Sequence, residues 1–186
     1  LNRVDILAAL GSRFPNLSNW SLGNRAMRWL LEKSFGIAGG RKLPKVARRT
    51  FLRWAAREKL NRIERAPGRK VLFFVDQYVN WHNPLLGRAL VEVLRHQKVE
   101  LYIPTAQTPS YMAMIAAGDV ERARKLVRTN ISLLAEAVRQ GYTIVTTEPS
   151  ASLCLQQEYR HLFESEETEL IAAHTLEVCS YLWKMH

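Results

Sequence analysis

Thiols, long apolar runs and, in its first third, carboxylates are scarce in this chain of 186 residues. Its two cysteines, Cys154 and Cys179, are too few for a disulfide framework or a four-thiolate metal site, and are expected as two buried thiols in a reducing compartment. No run approaches the ~18 apolar residues that a bilayer-crossing helix needs. The opening stretch LNRVDILAALGSRF has neither the compact apolar core nor the small-residue cleavage site of a signal peptide. These absences predict a cytoplasmic protein, with peripheral contact at the inner face of the membrane as an open extension. The first residue is Leu rather than Met, which points to a fragment or processed product with a neighbouring domain missing.

What is present is a globular composition, 47% hydrophobic and 24% charged, enough for one ordinary core and an appendage. The net charge of +10 is unevenly spread. Residues 1–70 carry 17 Lys and Arg against 4 Asp and Glu, whereas residues 71–186 carry 10 against 13. The chain therefore divides into a basic helical linker or docking segment, 1–69, and a nearly neutral domain, 70–186.

In the basic segment, Trp29, Leu30, Leu31 and Phe35 fall at helical spacing, and GIAGGRKLP then interrupts the pattern. A second helix is expected after Pro44, carrying Val46, Phe51, Trp54, Ala55, Leu60 and Ile63 with Arg48, Arg49, Arg53, Arg57, Lys59 and Arg62 interleaved. A basic amphipathic stretch of this kind suits an acidic partner protein or an anionic membrane surface, weighed against a solvated helix whose apolar stripe packs on the rest of the protein. No nucleic-acid motif accompanies the charge, so nucleic acid ranks below both. APGRK, residues 66–70, reads as a linker.

From Lys70 the pattern changes to alternating strands and helices. KVLFFVD is a continuous apolar run suited to a strand buried on both faces, and Val99–Ile103 and Tyr142–Thr146 are two further strands. Between them lie a helix from Pro84 to Arg95 and a long one that Asp119 should cap, with Ala123, Leu126, Val127, Ile131, Leu134 and Val138 as its stripe up to Gly141. PSASLCLQQEYRHLF and Glu166–Trp183 complete the series as two helices. The fold class is α/β, a parallel sheet with helices on both faces, whose ligands belong beyond the carboxyl ends of the strands.

Those ends comprise Asp76–His82, Thr105–Tyr111 and Thr146–Cys154. Asp76, His82 and Glu148 together make a carboxylate–imidazole–carboxylate set, the donor types for a divalent metal or for acid–base work, weighed against plain solvated loop residues. Ser150 and Ser152 lack the flanking glycines of a nucleophile elbow.

The stretches FFVDQYVNWHNPLLGRALVEVL, IAAGDVERARKLVRTNISLLAEAV and YTIVTTEPSASLCLQQEYRHL together resemble the cysteine-rich, or CCG, domain of iron-sulfur oxidoreductases. That family includes heterodisulfide reductase, the C subunit of anaerobic glycerol-3-phosphate dehydrogenase and FAD-linked oxidases. The upstream NWSLGNRAMRWLLEKSFGIAGGRKLPKVARRTFLRW resembles the segment joining their ferredoxin-type domain to the CCG domain. In the family, cysteines after each of the three strands hold a [4Fe-4S]-type cluster. Gly118 and Glu158–Tyr159 as anchors align Gln77 with the first of these cysteines, Pro109 and Ser110 with the pair, and Glu148 and Ala151 with the last two. All five thiols are replaced, and neither proline nor alanine offers a donor.

The resemblance thus implies the C-terminal part of an oxidoreductase subunit, an electron-transfer protein whose CCG-type domain has lost its cluster and serves as a structural or subunit-docking module. Any [4Fe-4S] clusters would lie in an upstream ferredoxin-type domain, and the partners would be other domains or subunits of a dehydrogenase complex. The fragment itself is not expected to be catalytic. The competing reading is a repurposed pocket that binds a divalent metal or small ligand at the strand ends.

Overall fold

A computed structural model describes residues 9–36, 38–41, 43–63 and 68–185; Ala66 and Pro67 of the expected linker lie outside them. The elements of the basic stretch are α1 (Pro15–Gly23), α2 (Arg25–Phe35) and α3 (Phe51–Arg57). Asn24 separates the first two and caps α2 by accepting from the Ala26 and Met27 amides, and Gly36, at φ 66°, ends it in the left-handed conformation glycine tolerates. The helix expected from Pro44 begins only at Phe51. Asn19 draws the preceding chain into an extended path, its side chain donating to the Val46 carbonyl at 2.9 Å and accepting from the Val46 amide at 2.8 Å. Thr50 then caps α3.

The sheet comprises β1 (Lys70–Phe74), β2 (Glu100–Tyr102), β3 (Tyr142–Thr146) and β4 (Thr175–Glu177), all parallel, in the order β2-β1-β3-β4. Because side chains alternate along a strand, β1 feeds two cores. Leu72 and Phe74 face a core completed by Tyr142 and Ile144 and by α5 (Met112–Ala116), α6 (Val120–Arg139), α7 (Pro149–Leu153), α8 (Tyr159–Leu162) and α9 (Glu166–Ala173). Val71, Phe73 and Val75 face the other, built from α3, α4 (Pro84–His96) and α10 (Val178–Met185). Helices on both faces of a parallel sheet are the expected α/β arrangement.

The basic stretch takes part in this core. Phe51 and Ala55 are fully buried, the Phe51 ring lies 5.4 Å from that of Phe73, and the Ile103 amide donates to the Leu60 carbonyl. Gly87 explains how α4 comes so close, since a Cβ there would lie 2.6 Å from the Phe51 ring and 2.8 Å from Val79.

Three further expectations are corrected. Glu166–Trp183 is two helices divided by β4, which pairs Ile144 with Thr175 through Thr146 with Glu177. A three-residue edge strand inside a helix-like apolar pattern leaves no periodic mark, because a ladder to β3 defines it. Asp119 occupies the N-cap of α6 but makes no capping hydrogen bond with its side chain. The stretch from Pro149 to Leu162 is interrupted by a π-helical turn, Cys154–Glu158, which places Cys154, Leu155 and Tyr159 together in the core.

Candidate functional site

β1 leads into α4 on one face of the sheet and β3 into α7 on the other, so the chain diverges between their carboxyl ends. This is where doubly wound sheets open a crevice for ligands. A cleft of about 230 Å³ lies there, lined by Asp76 and Gln77 after β1, Ser110, Met112, Ala113 and Ala116 after β2, and Glu148 and Ser150 after β3.

Its polar groups are bonded mainly to one another and to the backbone. Asp76 Oδ1 accepts from the Ser110 amide at 3.1 Å and Oδ2 from the Ser110 hydroxyl at 2.5 Å. Burial pushes the Asp76 carboxyl above the ordinary carboxylate range, while the Ser110 hydroxyl and amide pull it back part of the way. Glu148 reaches across to the start of the π-helical turn Tyr78–His82, accepting from the Tyr78 amide at 3.3 Å and the Val79 amide at 3.1 Å. It thereby clasps the loop after β3 to the loop after β1. Burial first, and the charge of Asp76 second, push the Glu148 carboxyl up to about 7.

Cys154 is fully buried and donates to the Ser110 carbonyl at 3.3 Å. Burial, with the charges of Asp76 and Glu158, drives its thiol well above the ordinary range, so it stays protonated. Ala151 is buried beside it, and Tyr111 and Met114 pack into the same core. Tyr111 does so at φ 61°, a left-handed conformation unusual for a non-glycine residue.

The loop after β2 is held by residues that sequence reasoning did not single out. Gln107 accepts from the Val75 amide at 2.8 Å and donates to the Pro104 carbonyl at 2.7 Å. Fully buried Asn130 on α6 accepts from the Thr108 amide and donates to the carbonyls of Thr108 and Pro109 and to the Tyr159 hydroxyl. Asn130 had left one signal, a polar residue inside the apolar stripe of α6; Gln107 had left none.

Of the sequence candidates, Asp76, Gln77, Ser110 and Glu148 meet at this cleft, with Ala151 and Cys154 in the core beneath it. Pro109 borders a smaller cavity on the far side of Asp76, shared with Gln107 and Asn80. His82 does not join the two carboxylates: its Nδ1 bonds the Lys45 carbonyl at 3.0 Å and its ring lines a separate cleft. Among the described residues, no group of three or more His, Cys, Asp and Glu side chains is arranged to hold a metal ion. Ser150 lines the cleft and Ser152 is buried, and among the described residues no histidine bonds either. Of the two thiols expected to be buried, only Cys154 is; Cys179 lies exposed on α10.

Fold and cleft together define an α/β domain whose ligand end is knit by internal hydrogen bonds. No family model matches the chain, and no solved structure matches it. The chain is 25% identical to the C subunit of the anaerobic glycerol-3-phosphate dehydrogenase of Escherichia coli strain K12 over 185 residues, 99% of this chain and 46% of that protein. The protein of the same description from Escherichia coli O157:H7 matches to the same extent. The B subunit of the fumarate reductase (CoM/CoB) of Methanothermobacter marburgensis is 31% identical over 94 residues, 50% of this chain and 18% of that protein. The chain is therefore related to subunits of oxidoreductases, and it spans about half the length of the glycerol-3-phosphate dehydrogenase subunits it matches. Among the described residues, no helix is long and apolar enough to cross a membrane.

Proposed function

We propose that this chain is a cluster-free module of an oxidoreductase subunit, serving to dock partner subunits while electrons travel through groups held elsewhere in the complete protein. The observation that carries this reading is the chemistry of the carboxyl edge. An iron-sulfur cluster of the CCG type needs several thiolates. The aligned positions here are Gln77, Pro109, Ser110, Glu148 and Ala151, with Cys154 as the one thiol nearby. Ser110 and Glu148 already bond Asp76 and the Tyr78 and Val79 amides, and the Cys154 thiol is held protonated. This donor set does not fit a cluster.

Surface left for partners lies on the basic stretch. Phe14, Leu17, Trp20 and Trp29 are each more than half exposed, among Arg13, Arg25 and Arg28. Large apolar side chains in such numbers on a small protein mark an interaction surface. An acidic, partly apolar face of a dehydrogenase partner complements them, and salt should weaken the association by screening its exposed charges.

The test uses the complete protein with its partner subunits. Trp20→Glu together with Trp29→Glu should release the partners on gel filtration while the protein's own urea midpoint stays unchanged. Full assembly of that variant would overturn the docking assignment.

A further inference from the structure

We propose that the cleft between the extended segment Ala47–Arg49 and the start of α4 is a binding site for a phosphate group. The cleft is an open concavity of about 540 Å³ that brings together Arg48, Arg49, Arg88 and His82. Among the described residues, no carboxylate lies within ion-pair distance of any of the three arginines. Three guanidinium groups around one concavity repel each other unless an anion enters it, and a guanidinium's fork of donors matches phosphate oxygens.

The cationic wall is built rather than draped over the surface. Arg88 stacks on Trp54, its guanidinium carbon 5.0 Å from the ring centroid, and its buried Nε has no hydrogen-bond partner. Stacking, not an internal hydrogen bond, therefore orients the group and leaves its donors uncommitted. The backbone leading into the exposed Arg48 and Arg49 is fixed: the Ala47 amide donates to the Trp81 carbonyl at 2.7 Å, and Val46 is clamped by Asn19. His82 is fixed by its bond to the Lys45 carbonyl. Asn83 already caps α4 by accepting from the Leu86 amide, so the attraction comes from side-chain charge and not from the helix end.

Two sources of phosphate fit, a soluble phosphate and the headgroup of an anionic phospholipid. Leu85 is 70% exposed at the rim, and the clamp on Val46 brings α1, with its exposed Leu17 and Trp20, up against the same segment. An apolar rim beside a phosphate site is the combination a lipid surface presents in mirror image. The site is separate from the cleft at the ends of β1 and β3, so it stands whether or not that cleft holds a cluster.

The test compares the full chain with two variants that each remove three positive charges. In one, Arg48, Arg49 and Arg88 become Gln; in the other, the distant and exposed Arg62, Lys125 and Lys184 do. Inorganic phosphate is titrated by thermal shift, and flotation is measured with vesicles of phosphatidylcholine alone and with added phosphatidylglycerol. Binding of the parent chain should be weakened about tenfold or more in the cleft variant, from the loss of three cations near an anionic group, and much less in the distant variant. A response to inorganic phosphate identifies a soluble ligand; flotation with phosphatidylglycerol vesicles and no response to phosphate identifies the headgroup. Equal losses in both variants, or no binding of either probe by the parent chain, would overturn the proposal. If Arg88→Gln loosens α4, the exposed pair Arg48→Gln/Arg49→Gln must still bind more weakly than the distant variant.

Discussion

In the cleft at the ends of β1 and β3 both acidic side chains have donors; on the shoulder formed by Ala47–Arg49 and the start of α4, three guanidinium groups have no acid among the described residues. Asp76 is doubly bonded to Ser110, and Glu148 takes two backbone amides. Arg48, Arg49 and Arg88 line a wider concavity with no carboxylate among the described residues to neutralise them. Buried polar groups are costly unless satisfied, whereas exposed charges are cheap to leave open. The polar groups of the carboxyl edge are accordingly satisfied within the fold, and the proposed contacts with partners and anions fall on the basic side.

Asn130 holds the loop after β2 through four hydrogen bonds. Asn130→Ala should lower unfolding stability by roughly 2–4 kcal/mol, because it strands buried donors and acceptors together. A urea midpoint that barely moves would mean the loop is held by something else. Next in size is Gly87→Ala, which drives a methyl group into Phe51 and Val79. We expect a loss of about 1–3 kcal/mol from overpacking, with the largest chemical-shift changes in α3.

The two carboxylates sharpen the contrast through pH. Glu148 has its carboxyl raised from the ordinary 4.5 to about 7, by burial first and Asp76 second, and Asp76 is raised as well. A raised acid binds its proton more tightly in the folded chain than in the unfolded one. Its contribution is therefore full below the ordinary value and is lost as the pH rises through about 7. Thermal unfolding followed from pH 5 to 8 should show a stability that declines with pH, and Glu148→Gln should flatten that decline. On the shoulder, Arg49→Gln should change stability by no more than about 0.5 kcal/mol, as surface substitutions do. A larger loss there would make Arg49 structural and erase the contrast.

Much of this architecture was legible in the residues. The apolar run from Lys70, the stripe of α6 and the turn residues Pro84 and Gly141 mark elements by local chemistry, and the structure follows them closely. The parts that escaped depend on distant partners. β4 exists because β3 is beside it, and although an apolar stripe through Phe51 was readable, the close approach of α4 to it depends on Gly87, 36 residues away. The site divides in the same way. That Asp76, Ser110 and Glu148 sit at strand ends follows from the strand pattern, but the clasp of Glu148 on the Tyr78 and Val79 amides spans 70 and 69 residues, and no spacing announces it. His82 shows the converse: a strand-end position suggested a partner for the carboxylates, and a backbone carbonyl at Lys45 took its ring instead.

The proposal that the carboxyl edge holds no cluster is tested most directly by anaerobic reconstitution of the chain with iron and sulfide, followed by gel filtration and measurement of iron, acid-labile sulfide and visible absorption in the protein peak. With a single buried, protonated thiol at the edge, the protein should emerge colourless, with iron and sulfide at background and with Cys154→Ala indistinguishable from the parent. Stoichiometric iron and sulfide that survive the column with a cluster's absorption, and that disappear in Cys154→Ala, would contradict it.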